Sequence, residues 1–259
     1  KKTFDKVSHK RLINKLHQYK INKNVIKWIS SFLNGRKQRV KVNNCFSPWD
    51  MVSSGIPQGS ILGPLLFIIY INDIVDVCHN SGIYLYADDA KIFHHINNMQ
   101  DCSYMQQDLD NINKWADEWS LKINIDKCKK VSYGRSPTCF WDYILNNHKV
   151  ENVDSFNDLG VTFDPSLSFK NHIDLKINKA YQALGLLKRH FLKLDPQSFL
   201  LLYKATVRSH LEYANSVWSP YHKNDIERIE KVQMRATKLV SSLRELPYTE
   251  RLKNCNCQR

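Results

Sequence analysis

The chain has 259 residues, 42% of them hydrophobic, and carries 38 Lys and Arg against 25 Asp and Glu, a formal net charge of +13. That composition supplies a buried core for one large domain or two smaller ones and excludes a disordered tail. The charge is uneven, net +11 over residues 1–50, −6 over 51–170 and +8 over 171–259. This layout suits an acidic, metal-dependent floor between basic walls that grip polyphosphate, or a merely solvated basic surface.

In chain order, Ser8 is placed to cap a first helix whose Leu12, Ile13, Leu16 and Tyr19 share a face. Asn24 would cap a second, with Val25, Trp28, Ile29 and Phe32 as its buried stripe and Asn34-Gly35 as its stop. Residues 38–42 alternate Val40 and Val42 against Arg39 and Lys41, turn at Asn43-Asn44 and return as a strand over 46–53, a basic hairpin. A non-helical loop, Gly55 to Ser60, precedes an apolar helix expected to reach about Val77 and to be buried nearly all round. Residues 83–94 read as a β-hairpin with Asp88-Asp89 as its two-residue turn.

Cys102, Met105, Leu109, Ile112, Ala116 and Trp119 then mark a helix. Strands are expected over 121–125 and 129–133, a hairpin at Asn146-Asn147, and a last strand over 158–164 closed by Pro165. Beyond Phe169 the pattern is helical: a stripe of Ile173, Ile177, Ala180, Leu184 and Leu187, a helix starting at Asp195-Pro196, and a third from Asn224 carrying Ile226, Ile229, Gln233, Ala236 and Val240. A domain boundary is expected near residue 166.

The seven cysteines are odd in number and form no C-x-x-C pair, so they read as reduced thiols of an intracellular protein; Cys255 and Cys257 lack partners for a metal knuckle. The longest apolar run, 61–71, is too short for a membrane span and is broken by Gly63 and Pro64. No signal peptide opens the chain, and a start at Lys1-Lys2-Thr3 without Met is what a fragment would show.

Asp88 and Asp89 on a rigid hairpin would make a hard-oxygen site for Mg²⁺, with Mn²⁺ as a substitute. Such a site suits in-line phosphoryl transfer, where two ions roughly 3.5 to 4 Å apart clamp the attacking and leaving oxygens. An Asp-Asp turn is by itself ordinary. The surrounding motifs give it weight: Gly55-Ile-Pro-Gln-Gly-Ser-Ile-Leu-Gly-Pro64 with the apolar run behind it, Tyr86-Ala87-Asp88-Asp89, Thr3-Phe4-Asp5-Lys6-Val7-Ser8-His9 and Asp158-Leu159-Gly160. Together they resemble the reverse transcriptases of non-LTR retrotransposons, jockey-like elements above all. Trp115, Trp119 and Asn124 to Lys127 resemble that family's following lysine motif, and residues 169–240 its thumb.

The resemblance implies an α/β (α+β) polymerase palm with an antiparallel sheet and packed helices over 1–166, then an all-α thumb and C-terminal connection over 167–259, with the fingers absent. It implies that Asp88 binds both Mg²⁺ ions and that Asp89 supports the second ion or the hairpin. Gln58 and Gly59 would lie against the nucleotide or template, glycine permitting close approach. Phe4 would wall off a ribose 2′-hydroxyl, and Lys127 would protonate the leaving pyrophosphate. Arg36, Lys37, Arg39 and Lys41 would hold phosphates, and Leu159 and Gly160 the primer. Each residue also has a plainer reading: core for Phe4, a helix-start turn for Gln58-Gly59, solvated charge for the cations. The family's first catalytic Asp would fall six positions before Asp5, ahead of Lys1, so the chain is expected to be truncated and catalytically incomplete. The expected partners are an RNA template, a DNA primer and dNTPs, with no membrane and the oligomeric state open. The expected location is the nucleus after cytoplasmic synthesis. An RNA-dependent RNA polymerase, and a domesticated or decayed fragment that only binds nucleic acid, stand as alternatives.

Overall fold

Ser8 starts the first helix as its side chain suggests. In the computed structural model, which describes residues 3–134, 141–191 and 193–257, its hydroxyl accepts the Arg11 backbone N–H, and α1 (His9–Gln18) buries Leu12 and Leu16. Cys139 lies outside the described residues. The chain divides into two units, Lys1–Lys130 with Thr138–Glu151, and Val131–Pro137 with Asn152–Arg259. The hairpin of 156–163 packs with the helices that follow it: Val161 belongs to their core.

In the first unit, α2 (Lys23–Leu33) is capped by Asn22, whose side chain accepts the Asn24 N–H, two residues before the expected cap. Its buried face is Ile26, Ile29 and Leu33. Val25 and the 57% exposed Trp28 face away, so the expected stripe was rotated. The cause is that both faces of this helix carry apolar residues at helical spacing, and packing against α1 selected one. Next come four two-residue strands, β1 (Lys37–Gln38), β2 (Lys41–Val42), β3 (Cys45–Phe46) and β4 (Asp50–Met51), paired β2–β3 and β1–β4. Asn43 and Asn44 close β2–β3 with φ of +45° and +64°, the two left-handed residues of a tight hairpin turn that asparagine tolerates.

α3 (Leu62–Ile71) ends earlier than expected and continues as a 3₁₀ turn, Asn72–Val77. It is not buried all round, since Leu65 and Ile68 are 54% and 53% exposed. The hairpin β5 (Gly82–Tyr86) and β6 (Asp89–Phe93) leads to α4 (Met99–Glu118), opened by an Asn98–Asp101 capping box. Lys15 ties this unit together. It lies buried under the Trp119 ring, 3.6 Å from the centroid, and its Nζ donates to Asp73 Oδ1 and the Tyr70 carbonyl at 2.6 Å each. Burial pulls its pKa below the ordinary lysine value, against the opposing pull of Asp73.

Residues 121–124 form no strand: a 3₁₀ turn, Ile125–Lys127, follows, and only β7 (Lys129–Lys130) of the expected second strand appears. β8 (Ile144–Leu145) and β9 (His148–Lys149) turn at Asn146-Asn147 as expected, both with positive φ, and β10 (Glu151–Asn152) follows. Among the described residues each sheet is two-stranded, so the expected palm sheet appears as separate small sheets.

The second unit holds β11 (Phe156–Asp158) and β12 (Val161–Phe163), a hairpin where one strand was expected. α5 (Lys170–His190) follows, burying the whole expected stripe from Ile173 to Leu187. α6 (Pro196–Leu202) has Asp195 as its cap and Pro196 in its first turn, and runs through a π-helical stretch, Tyr203–Arg208, into α7 (Ser209–Glu212). α8 (Asn215–Trp218), α9 (Lys223–Ala236) and α10 (Tyr248–Asn254) complete it. Ile226, expected inside, is exposed on α9, where Val232 is buried instead. Cys255 and Cys257 are buried in this core. Among the described residues no helix is long and apolar enough to cross a membrane.

His172 sits almost fully buried on α5 against Trp218, and its Nδ1 accepts the Thr162 N–H at 3.0 Å. The ring proton is therefore on Nε2, which is buried and has no hydrogen-bond partner among the described residues. Burial, with Lys176 and Lys179 alongside, pushes the imidazole from 6.5 down to about 4. A second proton must then bind more readily to the unfolded chain, so stability is complete above about pH 6.5 and falls as pH drops toward 4. The loss should reach about 3 kcal/mol. Urea midpoints of the wild type and His172→Gln between pH 7.5 and 4 should diverge in slope over this window; parallel slopes would remove His172 as the cause.

Candidate active site

The β5–β6 hairpin closes one residue earlier than expected. Tyr86 pairs with Asp89, so Ala87 and Asp88 form the turn, Ala87 at φ +51°, and Asp89 is the first residue of β6. The register follows from Gly82: the Phe93 ring lies where a Cβ on Gly82 would be, 2.2 Å from Cζ, and stacks on Tyr84 at 4.9 Å. Only glycine leaves room for an aromatic ring laid across the strand. Ile83, Leu85 and Ile92 then pack on the core while Tyr84 and Tyr86 stay exposed. The two carboxylates thus take different settings, Asp88 in the turn and Asp89 across from Tyr86 on the exposed face.

Asp88 is held by the start of the described chain. Thr3 Oγ1 donates to Asp88 Oδ2 at 3.0 Å, from a 3₁₀ turn, Thr3–Lys6. The same turn is pinned to the Gly55–Ser60 loop: Ile56 N donates to Phe4 O at 3.0 Å, Gly55 N to Val7 O at 2.8 Å, and Ser54 Oγ to Asp5 O at 2.9 Å. His9 Nε2 donates to the Gly55 carbonyl at 2.8 Å, beneath the loop. Gly55 has φ +91°, and a Cβ there would lie 2.8 Å from Asp5 Cα, so backbone presses on backbone.

This clasp brings three of the expected elements together. Phe4 is half-buried, its ring stacked on Phe67 at 4.3 Å and 19°. Gln58 and Gly59 are exposed, Gly59 at φ +84° with open space where a Cβ would point. Gln58 Nε2 donates to Asp5 Oδ1 at 3.2 Å, so Asp5 faces the loop.

Sequence reasoning also missed Asp108. Its carboxylate is fully buried and accepts the backbone N–H groups of His79, Asn80 and Ser81 at 2.7–3.0 Å, anchoring the segment that enters β5. Burial raises its pKa, but these bonds outweigh it and hold the carboxyl below the usual carboxylate range. Its only sequence signal is an acid on the apolar side of a helix.

The remaining expected residues sit on other elements of the chain. Lys127 is exposed on the 3₁₀ turn Ile125–Lys127. Lys37, Arg39 and Lys41 are exposed on the arm β1–β4 and Arg36 is half-buried at its base. In the second unit, Leu159 and Gly160 make the β11–β12 turn with φ of +45° and +82°. Tyr213 clamps it: its hydroxyl donates to Leu159 O at 2.7 Å, its ring lies 3.1 Å from where a Gly160 Cβ would be, and Lys176 Nζ is 5.0 Å from the ring centroid. Among the described residues no three of His, Cys, Asp and Glu gather as a metal site.

The sequence matches the reverse transcriptase (RNA-dependent DNA polymerase) family over residues 1–163. The chain belongs to this family. It is 27% identical to the RNA-directed DNA polymerase from mobile element jockey of Drosophila funebris, with 98% of the chain covering 28% of that protein. It is 26% identical to the jockey polymerase of Drosophila melanogaster, over 92% of the chain and 27% of the relative. To the probable RNA-directed DNA polymerase from transposon X-element of Drosophila melanogaster it is 26% identical, over 82% of the chain and 24% of the relative. The chain thus spans less than a third of each. As the resemblance of its motifs implied, the chain is a member of the reverse transcriptase family and is similar to the polymerases named from mobile element jockey.

In this member of the reverse transcriptase family the clasp should depend on a glycine at 55. Gly55→Ala should cost about 2 to 4 kcal/mol, combining left-handed strain with a backbone clash. Gly59→Ala, with similar φ but open space, should cost only about 1 kcal/mol. Equal losses in urea unfolding would show that φ alone matters. Asp108→Ala should cost about 2 to 4 kcal/mol by orphaning three backbone donors. Hydrogen exchange at residues 79–81 should quicken in that variant, and unchanged protection there would refute the anchor.

Proposed function

We propose that this chain contributes the palm and thumb of an RNA-directed DNA polymerase, the palm over 1–166 and the thumb and C-terminal connection over 167–259, extending a DNA primer with dNTPs on an RNA template. The observation that carries this reading is the clasp, which joins the Asp88 turn, the Thr3–Lys6 turn and the Gln58-Gly59 loop by direct hydrogen bonds in a chain of this family.

Asp88 and Asp89 are exposed hard-oxygen donors, the kind that Mg²⁺ takes, and two carboxylates leave coordination open for substrate phosphates and water, as is usual for this ion. They would hold two Mg²⁺ ions, or Mn²⁺ in their place. Bound there, the metal would supply Lewis-acid activation of the primer 3′-hydroxyl and charge neutralisation at the α-phosphate. The chain's own residues would do the rest. Gln58 and Gly59 border the space for nucleotide and template, and Phe4, fixed against Phe67, offers a rigid wall to the sugar. Lys127 would give a proton to the leaving pyrophosphate, and Arg36, Lys37, Arg39 and Lys41 would take phosphates. Leu159 and Gly160, held by Tyr213, would meet the primer. We place its action in the nucleus after cytoplasmic synthesis.

A second reading, a nucleic-acid binder without polymerase activity, is favoured by one observation: no third acidic ligand joins Asp88 and Asp89 among the described residues. Primer extension on an RNA template with Mg²⁺ separates the two, run on the chain itself and on a version extended by the coding sequence upstream of Lys1. Where extension occurs, Asp88→Asn should lower it by about 10² to 10³-fold, the loss of several kcal/mol of charge stabilisation. Extension undiminished by Asp88→Asn would sink the catalytic assignment. Salt-dependent RNA binding without extension by either protein would favour the second reading.

A further inference from the structure

Every residue of the arm from Lys37 to Met51 is exposed, yet the arm is more than a charged hairpin. In β2, Lys41 and Val42 point to opposite faces. On the basic face, Lys41 pairs across the ladder with Phe46, and its Nζ lies 5.3 Å from the ring centroid. The Arg39 guanidinium lies 3.9 Å from the Phe46 centroid and 4.5 Å from that of Trp49. The two rings stay 51% and 59% exposed. Two aromatic rings are thus arrayed in water between Arg39 and Lys41, positioned by cations rather than covered by core.

We propose that this face is a binding site for single-stranded nucleic acid, a base stacking on Trp49 and Phe46 while Arg39, Lys41 and Lys37 hold the flanking phosphates. The proposal rests on the nucleic-acid reading above and adds the rings to it. Every base has a π face, so an aromatic platform among cations suits single strands of any sequence. A duplex keeps its base faces stacked inside and offers such a surface only phosphates. The rings should therefore discriminate single strand from duplex, whereas the cations alone should not.

Fluorescence anisotropy of a labelled oligouridine RNA and of a labelled duplex RNA, titrated with the whole chain at several salt concentrations, tests this. Trp49→Ala should weaken oligouridine binding by about tenfold, the scale of one lost stacked base, with the salt slope unchanged. Duplex binding should hold, and Trp49→Phe should keep most of the single-strand affinity. Arg39→Gln should flatten the salt slope on both RNAs. Circular dichroism melting of each variant checks the fold, and the Trp49→Phe comparison keeps the test valid if Trp49→Ala melts early. Equal losses on both RNAs, or no loss on either, would overturn the platform while leaving the phosphate grip. A wild type without salt-dependent RNA affinity would overturn the nucleic-acid reading itself. Trp49-dependent binding to phosphatidylserine vesicles but not to oligouridine would assign the face to a membrane surface.

Discussion

The candidate site depends on backbone pressed against backbone at Gly55 and Asp5. A side chain at residue 55 would meet Asp5 Cα at 2.8 Å, so the segments 3–7 and 54–60 can share three hydrogen bonds only because nothing projects between them. Two are N–H to carbonyl bonds, Gly55 to Val7 and Ile56 to Phe4, and the third is the Ser54 hydroxyl on Asp5. Main-chain bonds have little rotamer freedom, which makes the clasp a firmer support than paired surface side chains would be. With the turn fixed, Thr3 reaches the Asp88 carboxylate and Asp5 reaches Gln58, so motifs distant along the chain become neighbours.

The helices behind the clasp set its orientation through polar groups in apolar surroundings. Lys15 joins α1 to the end of α3 and to the C-cap of α4, its Nζ donating to Tyr70 O and Asp73 Oδ1 and lying over the Trp119 ring. Asp108 performs the matching task on the other side, gathering three backbone donors ahead of β5. An unpaired buried charge is costly, so each group, once enclosed, holds its partners in one arrangement. Neither residue belongs to a motif, yet both help decide where the motif residues stand.

The second unit solves a similar problem with aromatic groups. Its β11–β12 turn is clamped from below by Tyr213, which follows the helix interrupted by the π-helical stretch Tyr203–Arg208. Such a stretch shifts the angular position of everything after it, and π-bulges occur often at functional sites. Here it precedes the residue that meets the turn. His172, enclosed beside Trp218 and bonded to Thr162, fastens α5 to the same hairpin.

By itself the sequence determined the features that local physics controls. The α5 stripe, the Asp195-Pro196 start, and the asparagine turns at 43–44 and 146–147 follow from helical spacing, capping and tolerance of positive φ, and the order of the motifs pointed to the family. Only the tertiary structure decided the rest. Which face of α2 is buried, the exposure of Leu65 and Ile68, and the absence of a strand over 121–124 depend on what packs alongside, because apolar periodicity does not name its partner. The shift of the hairpin turn to Ala87-Asp88 depends on Phe93 lying across Gly82, a fit of one ring to one missing Cβ. Asp108 and Tyr213 were silent for the same reason: each acts through contacts with groups far away in sequence, and such contacts exist only once the chain has folded.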